Sequence, residues 1–222
     1  MGNKTYDSRD NCNAIIETET NILTVGCKTT IIPDSVKTIG EHAFRGCHGL
    51  TSIIIPDSVT EIGKFAFCDC ISLSSIVIPN TVTALRKKLF DNCKSLTNIE
   101  IPNSVTSIET DAFSSCLGLT SIVIPSSVTE LGDSPFFGCS GLKTVVIQAK
   151  LKSLKDYCFN ECTSLETVTL PVGINKIETE TFRGCTSLKA INVPAKKGDY
   201  YRQRLPSELH SLIVELPAEK KK

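Results

Sequence analysis

Eleven cysteines and three histidines are among the side chains here that could hold a metal, form a disulfide or act as a nucleophile. Thiolates and imidazoles bind zinc when four of them converge, and in sequence that shows as paired short spacings. Cys68-Asp69-Cys70 comes nearest to such a pair, and no second pair accompanies it. His42 and His48 stand six residues apart with no carboxylate at the spacing of a metal triad, and read as a solvated pair. A Ser-His-Asp set, a glycine-rich phosphate loop and an HExxH sequence are all missing. No catalytic, cofactor-binding or metal-binding residue is assigned from the sequence.

Position explains most of the cysteines. Cys47, Cys70, Cys93, Cys116, Cys139, Cys162 and Cys185 recur every 23 residues. Phe44, Phe67, Phe90, Phe113, Phe136, Phe159 and Phe182 keep the same interval, as do seven leucines from Leu50 to Leu188. Pro33, Pro56, Pro79, Pro102 and Pro125 share it too, and Pro171, Pro194 and Pro217 return in register after Gln148. Self-similarity at such a period marks a solenoid, in which each unit buries its apolar face only against its neighbours. Stacked strands lie about 4.8 Å apart. Disulfides between neighbouring units are therefore possible by distance, but parallel side chains are poorly aimed for them. A reduced, buried column of thiols is expected, since a buried free cysteine behaves as a small hydrophobe.

Four cysteines remain. Cys158 falls in an alanine column and is expected to be buried. Cys27 takes a leucine position. Cys68 follows Phe67, where other units carry Arg45, Asp91 and Asn160. It is expected to be exposed and the most reactive thiol. A Cys12–Cys27 pairing across the N-terminal segment is left open.

Within a unit the apolar period changes. Ile39, Ala43, Phe44, Cys47 and Leu50 are spaced by three and four, as on one face of a short helical turn. Leu50–Ile55 alternates like a strand, with Ile53 and Ile55 on one side and Ser52 and Ile54 on the other. Pro56 ends it, because proline cannot donate to a ladder. Equivalent strands are expected at Leu73–Ile78, Leu96–Ile101, Leu119–Ile124, Leu142–Ile147 and Leu165–Leu170. A second short extended piece is expected at Val59–Ile62. Residues 1–31 read as an N-terminal cap, with a hairpin of Ala14–Glu17 and Asn21–Val25. Residues 32–192 read as seven repeats, and 193–222 as a divergent capping repeat with a helical Asp199–Leu205 and a frayed tail from Lys220.

This unit resembles the leucine-rich repeats of the BspA-like type, whose pattern is close to I-P-x-S-V-T-x-I-G-x-x-A-F-x-x-C-x-x-L-x-x-I. The resemblance covers roughly residues 27–193. Departures are local: Gln148 and Ala149 at one strand end, Pro135 before Phe136, and Arg86, Glu109, Lys155 and Glu178 in place of a turn glycine. The resemblance implies a right-handed solenoid of short parallel β-strands joined by short helical or 3-10 turns. It also implies display on a cell surface, with adhesion to host matrix proteins or other cells.

Charge narrows the partners. Lys+Arg and Asp+Glu both number 24, so no positive surplus exists to attract nucleic acid or anionic lipid. No apolar run reaches the roughly 20 residues that span a bilayer. Met1–Tyr6 contains no signal-peptide core, and Tyr6 does not suit myristoylation of Gly2. Two readings stay open, a cytosolic protein or a trimmed start, and the family resemblance favours the second.

The columns that the core does not use face outward from the strands. One holds Ser52, Ser75, Asn98, Ser121, Thr144, Thr167 and Ala190; the other holds Ile54, Val77, Glu100, Val123, Val146, Thr169 and Asn192. One reading is plain β-propensity. The other is a protein-docking face, centred on Ile54, Val77, Glu100, Val123, Val146 and Thr169 and flanked by Ser52, Ser75 and Ser121. Three functions follow: a surface or secreted adhesin-like module, a cytosolic interaction scaffold, and a carbohydrate-binding or hydrolytic domain. The third is weakest, because sugar hydrolysis uses paired carboxylates and no column supplies them or an aromatic platform.

Overall fold

The computed structural model describes residues 6–218. The start at Met1 and the tail from Lys220 lie outside the described residues. The chain coils into a parallel β-solenoid of about eight turns with roughly 23 residues per turn.

Each coil begins with a tight turn on the proline. The N–H groups of Val36, Val59, Val82, Val105 and Val128 donate to the carbonyls of Pro33, Pro56, Pro79, Pro102 and Pro125 at 3.0–3.1 Å. Hydroxyls then tie coil to coil: Ser58 Oγ donates to the Val36 carbonyl at 2.9 Å and Ser104 Oγ to that of Val82 at 2.7 Å. A two-residue strand follows, as at Thr38–Ile39, Glu61–Ile62, Ala84–Leu85 and Ser107–Ile108.

The stretch with three-and-four spacing is a run of single i→i+3 turns rather than a continuous helix. His42 and Gly46 both have positive φ, at 60° and 70°, and Phe65 with Asp69, Lys88 with Asn92, and Asp111 with Ser115 repeat the pair. Two left-handed residues four apart prevent a helix from propagating. They also split the donors. Arg45 and Cys47 N–H bond back to the His42 and Phe44 carbonyls, at 2.9 and 3.0 Å. His42, Phe44 and Gly46 N–H instead reach the Lys64, Ala66 and Cys68 carbonyls of the next coil, at 2.8–3.0 Å. Inter-coil hydrogen bonding therefore continues through the turns, and few backbone groups are left for solvent to satisfy.

The Phe44–Phe182 residues form one stacked column with ring centroids 5.1–5.8 Å apart. Each buried ring contributes roughly 1.5–3 kcal/mol, and each stack about 0.5–1.5 kcal/mol more. Leucine, isoleucine and valine columns fill the rest of the core.

The main strands are shorter than expected. They comprise Ser52–Ile53, Ser75–Ile76, Ser121–Ile124, Thr144–Ile147, Thr167–Thr169 and Ala190–Val193. Leu50 belongs to the turn, since its N–H bonds to the Cys47 carbonyl at 2.9 Å. The strand expected at Leu96–Ile101 joins no ladder, so the main sheet divides into two parts. Asn98 and Glu100, both poor strand formers, occupy its outward positions.

The ladder of second strands also divides, at Arg86 and Lys155. Gly40, Gly63, Glu109, Gly132 and Glu178 N–H each bond to the preceding coil, while Arg86 and Lys155 make no such bond. Each of these two follows a coil with glycine at that place. A Cβ on Gly132 would lie 2.3 Å from the Thr110 nitrogen, so a coil with glycine there packs closer than one with a side chain can.

Both ends are closed. Ile15–Glu17 and Ile22–Val25 form the expected antiparallel hairpin, which Tyr6–Asp7 extends. At the other end a helix, Gly198–Arg202, and a 3-10 segment, Ser207–Leu212, lead to Ile213–Glu215, parallel to Ala190–Val193. Tyr201 and Leu205 cap the core, and the Tyr201 hydroxyl donates to the Pro171 carbonyl.

Candidate functional site

Strand alternation puts one residue in two outside the core, and stacking turns these into columns. Parallel pairing aligns Ser52 with Ser75, Ser121 with Thr144, Val123 with Val146, Val146 with Thr169, and Thr169 with Asn192. Ile54 is 86% exposed, Val77 77% and Val123 46%, while Val146 and Thr169 are half-buried. Ser52, Ser75 and Ser121 are exposed beside them. Ile53, Ile76, Ile122 and Val145, one place away, are buried. The column also contains two residues that the sequence reading passed over. Ile31, 70% exposed, precedes Ile54 by one coil, and Val214 pairs with Asn192. The 23-residue register already contained Ile31; Val214 was hidden because the last coil is one residue shorter at this point.

Glu100 does not fall on a continuous strip. It sits where the ladder divides, in a shallow cleft of about 730 Å3 whose walls include Val77, Asn98, Val123 and Gln148.

The thiols divide differently from the sequence expectation. Cys68 is only 4% exposed. Its Sγ donates to Asp69 Oδ2 at 3.3 Å. Burial first, and then the Asp69 carboxylate, push this thiol up to about 12. It is therefore not the reactive cysteine. Its Sγ lies against the carboxylates of Asp69 and, one coil on, Asp91. Cys27 has the opposite environment. It is half-buried, and a hydrogen bond with the Thr29 hydroxyl at 3.2 Å is the main cause that lowers its pKa. Cys12 and Cys27 are both free thiols, with Sγ directed to the Ala14 and Asn13 carbonyls respectively. Cys158 is buried, as its column requires, whereas Cys47 is only half-buried at the first coil.

His42 and His48 are exposed, and His42 stacks on Phe65 at 4.7 Å. No helix among the described residues is long and apolar enough to cross a membrane.

The sequence profile of the BspA type Leucine rich repeat region matches residues 23–143 and 85–203, with six copies. The chain belongs to the BspA-type leucine-rich repeat family. Proteins built of such repeats are generally interaction modules, and their relatives are typically not enzymes. The T. pallidum leucine-rich repeat protein is 30% identical, with a TM-score of 0.68, over 85% of this chain and 90% of that one. A leucine-rich repeat protein from Bacteroides ovatus is 26% identical, with a TM-score of 0.56, over 92% of this chain and 66% of that one. The pneumococcal vaccine antigen PcpA shares the fold at 18% identity and a TM-score of 0.61; the match covers 98% of this chain and 49% of PcpA. No curated protein matches the BspA-type chain.

Proposed function

We propose that this chain is a non-catalytic protein-binding module whose partner docks on the outward strand face. One observation carries the reading: Ile31, Ile54, Val77 and Val123 stand exposed in a single column, while the core is complete without them. Isolated exposed apolar residues are ordinary, but several aligned on one strand face, interrupted here only at Glu100, mark a surface suited to interaction. A partner crossing the coils would bury several β-branched groups at once. The family resemblance supports a surface-displayed or secreted, adhesin-like role, with a host matrix protein or another cell-surface protein as partner. A scaffold in a reducing compartment is the second reading. It is favoured by the eleven cysteines, which are all free thiols where an oxidising compartment promotes disulfides.

The test is the double substitution Val77→Lys and Val123→Lys, assayed on immobilised matrix proteins. Binding should weaken at least about tenfold while Tm stays within about 2 °C. Unchanged binding rules the face out. Lost binding with unfolding shows that these side chains are needed by the core. Protease treatment of intact cells separates the two locations, since only a displayed protein is cleaved.

A further inference from the structure

The outward column changes character at one coil. Val77 precedes Glu100 by 23 residues and Val123 follows it by 23, so a carboxylate replaces an aliphatic group in the middle of the apolar row. Three observations coincide there. Among the described residues, Glu100 is exposed and forms no ion pair. It is the one charged side chain among those that line the 730 Å3 cleft. And the strand that carries it joins no ladder, leaving the N–H groups of Asn98, Ile99, Glu100 and Ile101 without hydrogen bonds among the described residues. By contrast Glu109 and Asp69, which also replace uncharged residues in their columns, are paired with Arg86 and Arg45.

We propose that Glu100 sets the specificity of the docking face by receiving a lysine or arginine side chain from an extended protein segment. This rests on the docking reading above. The flanking Val77 and Val123 would pack against apolar neighbours of that basic residue. Asn98 and Gln148 would hold the segment's polar groups, together with the unpaired backbone N–H groups of the divided ladder. A segment with an acidic residue at the same place is rejected by like charge, and one with an aliphatic residue leaves the carboxylate desolvated and unpaired. Charge matching of this kind sets register and partner choice more than it sets affinity.

Panning a phage-displayed library of random linear peptides on the full chain tests this directly. Wild-type protein should select peptides with a basic residue between apolar ones. Glu100→Lys should select acidic residues at that place, and Glu100→Gln should select no charge. The best wild-type peptide should bind Glu100→Gln about fivefold more weakly. A selected charge that is the same on wild type and Glu100→Lys overturns the proposal, as does the absence of any peptide from the wild-type selection. Val77→Lys with Val123→Lys separates the two claims. If that variant loses the wild-type peptides while Glu100 has no influence on their charge, the face binds and Glu100 does not select. If the peptides bind it undiminished, the docking face itself is wrong.

Discussion

The thiol of Cys116 donates to the main-chain carbonyl of Phe90 at 3.2 Å, joining residues 26 apart in sequence and one coil apart in space. The same bond runs from Cys70 to Phe44, Cys93 to Phe67, Cys139 to Phe113, Cys162 to Phe136 and Cys185 to Phe159, at 3.0–3.2 Å. These cysteines are thus more than small hydrophobes. Each supplies a second donor to a buried carbonyl that already accepts the cysteine N–H of its own coil. Alanine at Cys116 removes both the packing and the bond, and should lower stability by about 1–3 kcal/mol. Alanine at the half-buried Cys27 should change it by less than about 0.5 kcal/mol. Urea unfolding of the two variants compares them, and equal effects would contradict the structural role of the thiol column.

Thiol labelling should follow environment. Cys27, with its lowered pKa and partial exposure, should react first with iodoacetamide in the native state. Cys68 and the buried column should react only as the protein opens. Mass mapping after brief exposure reads the order, and modification of Cys68 ahead of Cys27 would contradict it.

Alkaline conditions should destabilise the fold. Burial raises Cys70, Cys139 and Cys185 to about 12, from an ordinary value of 9.0. The folded state keeps these thiols protonated where the unfolded chain would ionise them. Their contribution is therefore complete below about pH 9 and is lost as pH rises from there to about 12. Each such thiol adds roughly 1.4 kcal/mol per pH unit to the slope in that window. Cys139→Ala should flatten the slope of stability against pH above pH 9 by about that amount. An unaltered slope would show that Cys139 titrates alike in both states.

The phenylalanine column should be weakest at its end. Phe113 stacks on Phe90 and Phe136, both at 5.4 Å. Phe182 has one ring neighbour, Phe159 at 5.8 Å. Phe113→Ala should therefore lower stability by about 3–5 kcal/mol, and Phe182→Ala by clearly less. Denaturation midpoints give the comparison, and a larger loss at Phe182 would contradict a sum over neighbouring coils.

Much of this architecture was legible because period and side-chain type agree. The Phe and Cys columns follow from residues in one register. The left-handed residues were harder to see, because His42, Phe65, Lys88 and Asp111 share a backbone conformation and no side-chain chemistry. That is why a stretch with helical spacing turned out to be separate turns. Cys68 was misplaced for a related reason. Its counterparts Arg45 and Asp91 suggest solvent, but the small thiol lies against the side chains of Asp69 and Asp91, contacts that depend on the neighbouring coil. The division of the sheet at Glu100 depends on fit between three successive coils, and only a weak strand propensity at Asn98 and Glu100 hinted at it.

The docking face is tested most directly by photo-crosslinking in cells that express the protein naturally. Benzoylphenylalanine is placed at Val77, on the outward strand face, or at Lys152, exposed beside the cleft of about 830 Å3 on the second-strand side. Both positions lie outside the core, so both variants should keep the wild-type Tm. The account predicts a discrete protein adduct from Val77, lost when Val123→Lys is added, and none from Lys152. An adduct from Lys152 with none from Val77 would contradict it.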